Sequence, residues 1–233
     1  MLEKLLPSCV KVVESLVDRP DRLFPAEEAA MVVAVDSRRR EFTTVRWCAR
    51  SALAQLGIAP TAVVPGEGGA PMWPSGVVGS MSHCSGYRVS AVALTTCVRS
   101  LGVDAEEDAP LPPGVLPAIT VPEERAHLQE LTRIRPDVYW DRLLFSIKES
   151  VYKTWFPLTR RPLDFEDATV TMGAFTNEFR VRLTVAEAEL SQADLRSLEG
   201  RWSVEDGLIL TAIALRGTAP SSVDSSGGVV GPR

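Results

Sequence analysis

The apolar run from Val98 to Val103 leads directly into Asp104-Ala105-Glu106, and a second, longer apolar pattern carries Glu149 and Lys153. Alternate side chains of a strand share a face, so Asp104 and Glu106 can converge on one point at the strand's end. In the second pattern Trp140, Leu144, Ile147, Val151 and Trp155 recur at helical spacing, which predicts a helix over 140–156. Glu149 and Lys153, four apart, stack on one surface of that helix. Three carboxylates and an ammonium suit a hard divalent cation beside a phosphate, because Mg²⁺ takes oxygen ligands and is shared between carboxylates and substrate phosphates. Read singly, the same residues also fit an exposed helical ion pair and a turn.

A second helix is predicted over 37–56, where Phe42, Val45, Ala49, Leu53 and Leu56 share one stripe and Gly57 stands at the C-terminal cap position. The segment 26–35 reads as a short helix or its approach, and 60–79 as a loop rich in Pro and Gly. A strand over 82–94, after a turn at Ser85-Gly86, is expected to form a hairpin with a strand over 98–104 through Thr95-Thr96-Cys97. The stretch 108–122 reads as irregular, and Pro122 as a helix start. Residues 168–172, 179–185 and 201–215 read as strands, the last broken at Glu205-Asp206-Gly207. From Gly217 onward there is little to bury, which predicts a disordered tail.

With 233 residues, 45% of them hydrophobic and 24% charged, the chain can bury a core as one domain or two small ones. Its net charge of −5 argues against general nucleic-acid binding. Glu3, Lys4, Lys11 and Glu14 interrupt any signal-peptide core, and no apolar run reaches the length of a bilayer span. Cys9, Cys48, Cys84 and Cys97 lack C-x-x-C spacing, so reduced, mostly buried thiols are expected, as in a cytoplasmic protein.

Gly102-Val103-Asp104-Ala105-Glu106 and Phe145-Ser146-Ile147-Lys148-Glu149-Ser150-Val151-Tyr152-Lys153 together resemble the signature of the Sfp-type 4′-phosphopantetheinyl transferases, G-V-D-x-E followed by F-S-x-K-E-x-x-x-K. Further segments match in the family's order: Arg38-Arg39-Arg40-Glu41-Phe42 with Val45-Arg46, Trp73-Pro74 to Ser80-Met81-Ser82-His83-Cys84, and Trp140-Asp141-Arg142. The resemblance covers nearly the whole chain, Leu6 to Leu215. It implies an α+β fold, a pseudo-dimer of two similar α/β halves with the ligand in the cleft between them. Residues 1–103 would form the half with the coenzyme A-binding helix and loop, 104–216 the half with the metal and catalytic helix, and 217–233 the tail. The implied activity is transfer of the 4′-phosphopantetheine arm of coenzyme A to a serine of acyl or peptidyl carrier proteins, with release of adenosine 3′,5′-bisphosphate. Fatty-acid, polyketide and nonribosomal-peptide pathways use such carriers. The implied enzyme is a Mg²⁺-dependent monomer, with Mn²⁺ as an alternative ion and no nucleic-acid or membrane partner.

Residue roles follow from the same resemblance. Asp104, Glu106 and Glu149 would hold the metal, two from a strand end and one from a helix packed across it. Lys153 would contact the phosphates and stabilise the departing one. Glu149, or a water near it, would take the serine proton. Ser82 and His83 would bind a coenzyme A phosphate, and Arg38 and Arg46 its 3′-phosphate and adenine end. Lys148 has no assigned role, and His127 lies in a charged helix away from any motif. Relatives commonly carry Lys or Arg in a G-x-[KR]-G-x-P loop where this chain has Gly68, beside Glu67. That substitution implies weaker coenzyme A binding or replacement by another arginine such as Arg88. Residues 111–119 are the expected carrier-protein surface. Two rivals remain, a non-catalytic carrier-protein-binding module and a metal-dependent coenzyme A phosphohydrolase. The intact set Asp104, Glu106, Glu149 and Lys153 speaks against the first, and the second lacks a recognisable water-positioning device.

Overall fold

The computed structural model describes residues 1–185, 195 and 197–216; the tail expected from Gly217 lies outside the described residues. β1 (Lys11–Ser15), α1 (Pro25–Ala29) and α2 (Asp36–Gln55) lead through a long loop to β2 (Val77–Cys84), β3 (Tyr87–Leu94) and β4 (Val98–Glu107). Then come α3 (Val115–Ile119), α4 (Pro122–Ile134) and α5 (Trp140–Thr159), followed by β5 (Ala168–Met172), β6 (Glu178–Leu183), β7 (Ser197–Glu205) and β8 (Leu208–Arg216). None of the described helices is long and apolar enough to cross a membrane. The fold is mixed α+β.

Both long helices form where their apolar stripes require it. Phe42, Val45, Ala49 and Leu53 are buried on α2, as are Trp140, Leu144, Ile147, Val151 and Trp155 on α5. Each large side chain so buried contributes on the order of 1.5–3 kcal/mol. Three expectations change. The hairpin is β2–β3 through Ser85-Gly86, not β3–β4, because β1 and β2 occupy both edges of β3 and β4 pairs with β8. The expected division between residues 103 and 104 falls inside β4. Four reduced thiols are not found either: Cys9 and Cys97 form a disulfide, brought together by the β1–β3 pairing, while Cys48 and Cys84 are free.

The strands form a three-stranded sheet, β1-β3-β2, and a five-stranded sheet, β4-β8-β7-β6-β5. The first three strands of the larger sheet repeat the order of the smaller one. The sequence carries the repeat too: Gly79, Ser82, Gly86, Ala91, Ala93 and Leu94 recur at one constant spacing as Gly200, Ser203, Gly207, Ala212, Ala214 and Leu215. In that alignment Ser90 matches Thr211. Ser90 pairs in register with Val13 on β1, and Thr211 with Asp104 on β4. The helices repeat as well. Buried Glu27 on α1 accepts from Val63 N and Arg50 of α2, as buried Glu124 on α4 accepts from Val170 N and Lys148 of α5. The molecule is thus two copies of one α/β unit.

The copies meet along β2 and β4 without a backbone ladder. Ser80 Oγ accepts from Val103 N at 3.0 Å, and Ser82 Oγ accepts from Ala105 N at 3.2 Å. Only the second copy carries carboxylates at the seam, since Val13 and Ser15 stand in the first where Asp104 and Glu106 stand in the second.

Candidate active site

α5 crosses β4 closely because residue 102 is glycine: a Cβ there would lie 2.0 Å from Ser150 O and 2.2 Å from Thr154 Oγ1. That approach brings the helix side chains onto Asp104, which is 3% exposed. Ser82 Oγ donates to Asp104 Oδ1 at 2.8 Å, Lys153 Nζ donates to the same oxygen at 2.6 Å, and Ser146 Oγ donates to Oδ2 at 2.8 Å. Lys153 also donates to Val103 O and Ser82 Oγ, each at 3.2 Å. The simple helical ion pair with Glu149 is therefore not the arrangement adopted.

Glu106 is held by Arg142, whose Nη1 is 2.8 Å from Oε2 while its other nitrogens bind Ala109 O and Pro110 O. Burial pushes the Glu106 carboxyl above its ordinary value, Asp104 adds to the shift, and Arg142 opposes it. Burial likewise raises Glu149, opposed by Lys153 and reinforced by Asp104. Among the described residues no three His, Cys, Asp or Glu side chains stand as a closed ligand set. The charge of Asp104 reaches both Glu106 and Glu149, and carboxylate oxygens are the donors that a hard divalent cation takes.

Beyond Ser82 on β2, Arg38 and His83 hydrogen-bond side chain to side chain, with Glu41 3.6 Å from Arg38 and 3.7 Å from His83. Burial lowers the His83 pKa, and Arg38 and Lys153 act in the same direction. Arg46 is less available than its expected role requires. It is 6% exposed, donates from Nε to Val63 O at 2.6 Å and lies 3.8 Å over the Phe42 ring. Burial brings its guanidinium down to about 10.

Position 68 and Arg88 are each constrained by their neighbours. Gly68 has φ of +60°, and a Cβ there would lie 2.8 Å from Phe156 Cζ. Arg88 is bound to Cys84 O and faces Asp18 at 3.2 Å. Lys148 turns away from the seam and donates to Ile119 O, Glu124 and Phe165 O, within 2.8 Å of each. His127 Nε2 lies 2.9 Å from Met172 O, far from Asp104 in the fold. Sequence reasoning missed Ser146, Ser150 and Thr211 altogether, and gave Arg142 no role. Ser146 and Ser150 lie inside the lysine motif, but Thr211 becomes visible only through its register with Asp104.

Comparison with known families gives matches over most of the chain. Residues 26–93 match the 4′-phosphopantetheinyl transferase N-terminal domain, and residues 100–204 the 4′-phosphopantetheinyl transferase superfamily. The 4′-phosphopantetheinyl transferase Svp of Streptomyces mobaraensis is 47% identical over 97% of this chain and 95% of its own. PptT of Mycobacterium tuberculosis is 48% identical over 86% of this chain and 90% of its own. Npt of Nocardia iowensis is 44% identical over 92% of this chain and 99% of its own. The chain belongs to the 4′-phosphopantetheinyl transferase superfamily and is an enzyme of that class.

Proposed function

We propose that this enzyme moves the phosphopantetheine arm of coenzyme A onto a serine of acyl and peptidyl carrier proteins, with Mg²⁺ as its ion, Mn²⁺ as a substitute and adenosine 3′,5′-bisphosphate as the product released. One observation carries the reading: Asp104 Oδ1 gathers three separate motifs at a single atom, receiving Ser82 from the β2 motif and Lys153 from the α5 motif. Asp104, Glu106 and Glu149 would hold the ion. Bound there, it would neutralise charge on the two phosphates of the pyrophosphate.

The chain's own residues do the rest. Arg38 supplies the cation for coenzyme A phosphate on the β2 side of the seam, with the His83 imidazole in contact beside it. Arg46, bound to Val63 O and stacked on Phe42, is the second arginine proposed for the 3′-phosphate and adenine end of coenzyme A. In the reaction the serine Oγ–P bond forms as the bond from that phosphorus to the bridging oxygen breaks, and the oxygen leaves on adenosine 3′,5′-bisphosphate. Lys153 stabilises the charge that accumulates there. The serine proton passes to Glu149 or to a water it holds. The exposed segment around α3, which follows the carboxylate strand, is the proposed carrier-docking surface.

Mass spectrometry of an apo carrier protein incubated with coenzyme A and Mg²⁺ tests the reading. Transfer adds one phosphopantetheine mass. Binding without a mass change would favour a non-catalytic module, and consumption of coenzyme A without a mass change would favour a hydrolase.

A further inference from the structure

Beneath Asp104 lies a cluster of three hydroxyls, Ser146, Ser150 and Thr211, all of them fully buried. Ser150 Oγ is 2.6 Å from Thr211 Oγ1, Thr211 Oγ1 is 3.0 Å from Ser146 Oγ, and Ser146 Oγ is 2.8 Å from Asp104 Oδ2. Each hydroxyl has one proton to give. The carboxylate can only accept, so Ser146 donates to it. Thr211 Oγ1 lies against Ser146 Oγ and, at 3.0 Å, Ser146 O, so its one proton is shared between them, and Ser150 likewise shares its proton between Thr211 Oγ1 and, at 3.3 Å, Thr211 O. Hydroxyls so linked polarise one another beneath the carboxylate.

The first copy of the repeat supplies an internal control. Ser90 occupies the position of Thr211, but Val13 stands where Asp104 does, and Ser90 Oγ is buried with no hydrogen-bond partner. The hydroxyl at this strand position is therefore hydrogen-bonded only in the copy where a carboxylate faces it.

We infer that Ser150, Thr211 and Ser146 are positioning residues for Asp104. They pin Oδ2 toward α5, so that Oδ1 is fixed at the seam, where Ser82 and Lys153 meet it. The consequence for metal binding rests on the proposed role of Asp104 as an ion-holding residue; the positioning itself does not.

The test uses Thr211→Val, which keeps shape and removes the hydroxyl, with Thr211→Ser as the conservative rescue and Ser90→Val as the control from the other copy. In metal-free protein, denaturant unfolding of Thr211→Val, Asp104→Asn and the double variant should be non-additive, whereas Ser90→Val with Asp104→Asn should be additive. Mn²⁺ titration followed by electron paramagnetic resonance should show affinity lowered about tenfold in Thr211→Val, the loss typical when a group supporting a metal ligand is removed. Thr211→Ser should restore it, and the half-saturating Mg²⁺ concentration in the transfer assay should move in parallel, with the Michaelis constant for carrier protein unchanged. An additive cycle, or wild-type Mn²⁺ affinity in Thr211→Val, would overturn the inference. Wild-type protein that binds no Mn²⁺ would overturn the metal reading instead, and the metal-free cycle would then decide the positioning role alone.

Discussion

Lys153 Nζ lies 2.6 Å from Asp104 Oδ1, so the ammonium of α5 pairs across the seam with β4 and not with Glu149 one turn earlier in its own helix. An exposed i,i+4 pair would contribute only about 0.3–0.5 kcal/mol. The pair formed here is largely enclosed, with side-chain exposures of 25% for Lys153 and 4% for Asp104, and it ties α5 to β4.

That pairing separates the two carboxylates of β4. Asp104→Ala strands Lys153, Ser82 and Ser146 together, so it should abolish transfer and also cost up to about 3 kcal/mol of stability, the low end for breaking a buried pair. Glu106→Gln leaves Arg142 an acceptor of the same size and should abolish transfer with the melting temperature nearly unchanged. Near wild-type transfer in either variant at saturating Mg²⁺ would remove that residue from the site. Calorimetry alongside the transfer assay distinguishes the two effects.

Arg38 and Arg46 should also part company. Arg38 has a half-exposed side chain, so Arg38→Ala should weaken coenzyme A by roughly 1.5–3 kcal/mol, the range for a lost charged hydrogen bond, with little loss of stability. Dephospho-coenzyme A, lacking the 3′-phosphate, should be affected less. Arg46→Ala removes the bond to Val63 O and the Phe42 stack, and should lower the melting temperature as well. Isothermal titration with both ligands decides the assignment: equal weakening of the two would place the arginine away from the 3′-phosphate.

Lys148 stands next to Glu149 in the motif but belongs to the scaffold. It and Glu124 are each 1% exposed, and the pair links α4, α5 and the approach to β5. Removing the lysine leaves Glu124 and two carbonyls without their donor, so Lys148→Ala should cost about 3–5 kcal/mol. The fraction that remains folded should keep the wild-type Michaelis constant for coenzyme A. A stable Lys148→Ala protein with abolished turnover would instead make Lys148 a catalytic group.

The thiols offer a direct count. Burial holds both Cys48 and Cys84 at about 12, and neighbouring carboxylates, Glu106 first, reinforce the shift at Cys84. Native protein should therefore alkylate slowly at neutral pH, because the thiolate is the reactive form. Denatured without reductant it should titrate two thiols, and after reduction all four, Cys9 and Cys97 having been joined. Four thiols before reduction would exclude the disulfide.

The helices are legible in the sequence because each has a single apolar stripe, and the carboxylate strand because an apolar run ends on Asp104. Strand partners are not, since β3 is buried almost throughout and its pattern names no neighbour. The duplication rests on a few small residues, Gly79, Ser82 and Ala91 among them, set among side chains that differ between the copies. In the site, charged residues announce themselves by spacing, but the hydroxyls below Asp104 do not: Thr211 reaches Ser146 through a pairing that no local pattern records. Gly68 marks the same limit. Phe156, far along the chain, fills the space a basic side chain would need.

Glu149 and Lys153 should be distinguishable by kinetics although they share a helix. Glu149 is proposed to hold the ion and receive the serine proton, so Glu149→Gln, which keeps its shape, should cut turnover severely and raise the half-saturating Mg²⁺ concentration. Lys153 is proposed to meet charge that develops as the leaving bond breaks. Its contact strengthens in the transition state, so Lys153→Ala should lower the turnover number far more than it raises the Michaelis constant for coenzyme A. The same change frees Asp104 Oδ1 of its ammonium, and Mn²⁺ affinity measured apart from turnover should be unchanged or higher. Initial rates against coenzyme A concentration for the wild type and both variants decide the matter. Near-normal turnover in Lys153→Ala would confine the lysine to a structural role at the seam and leave the bound ion alone to stabilise the departing phosphate.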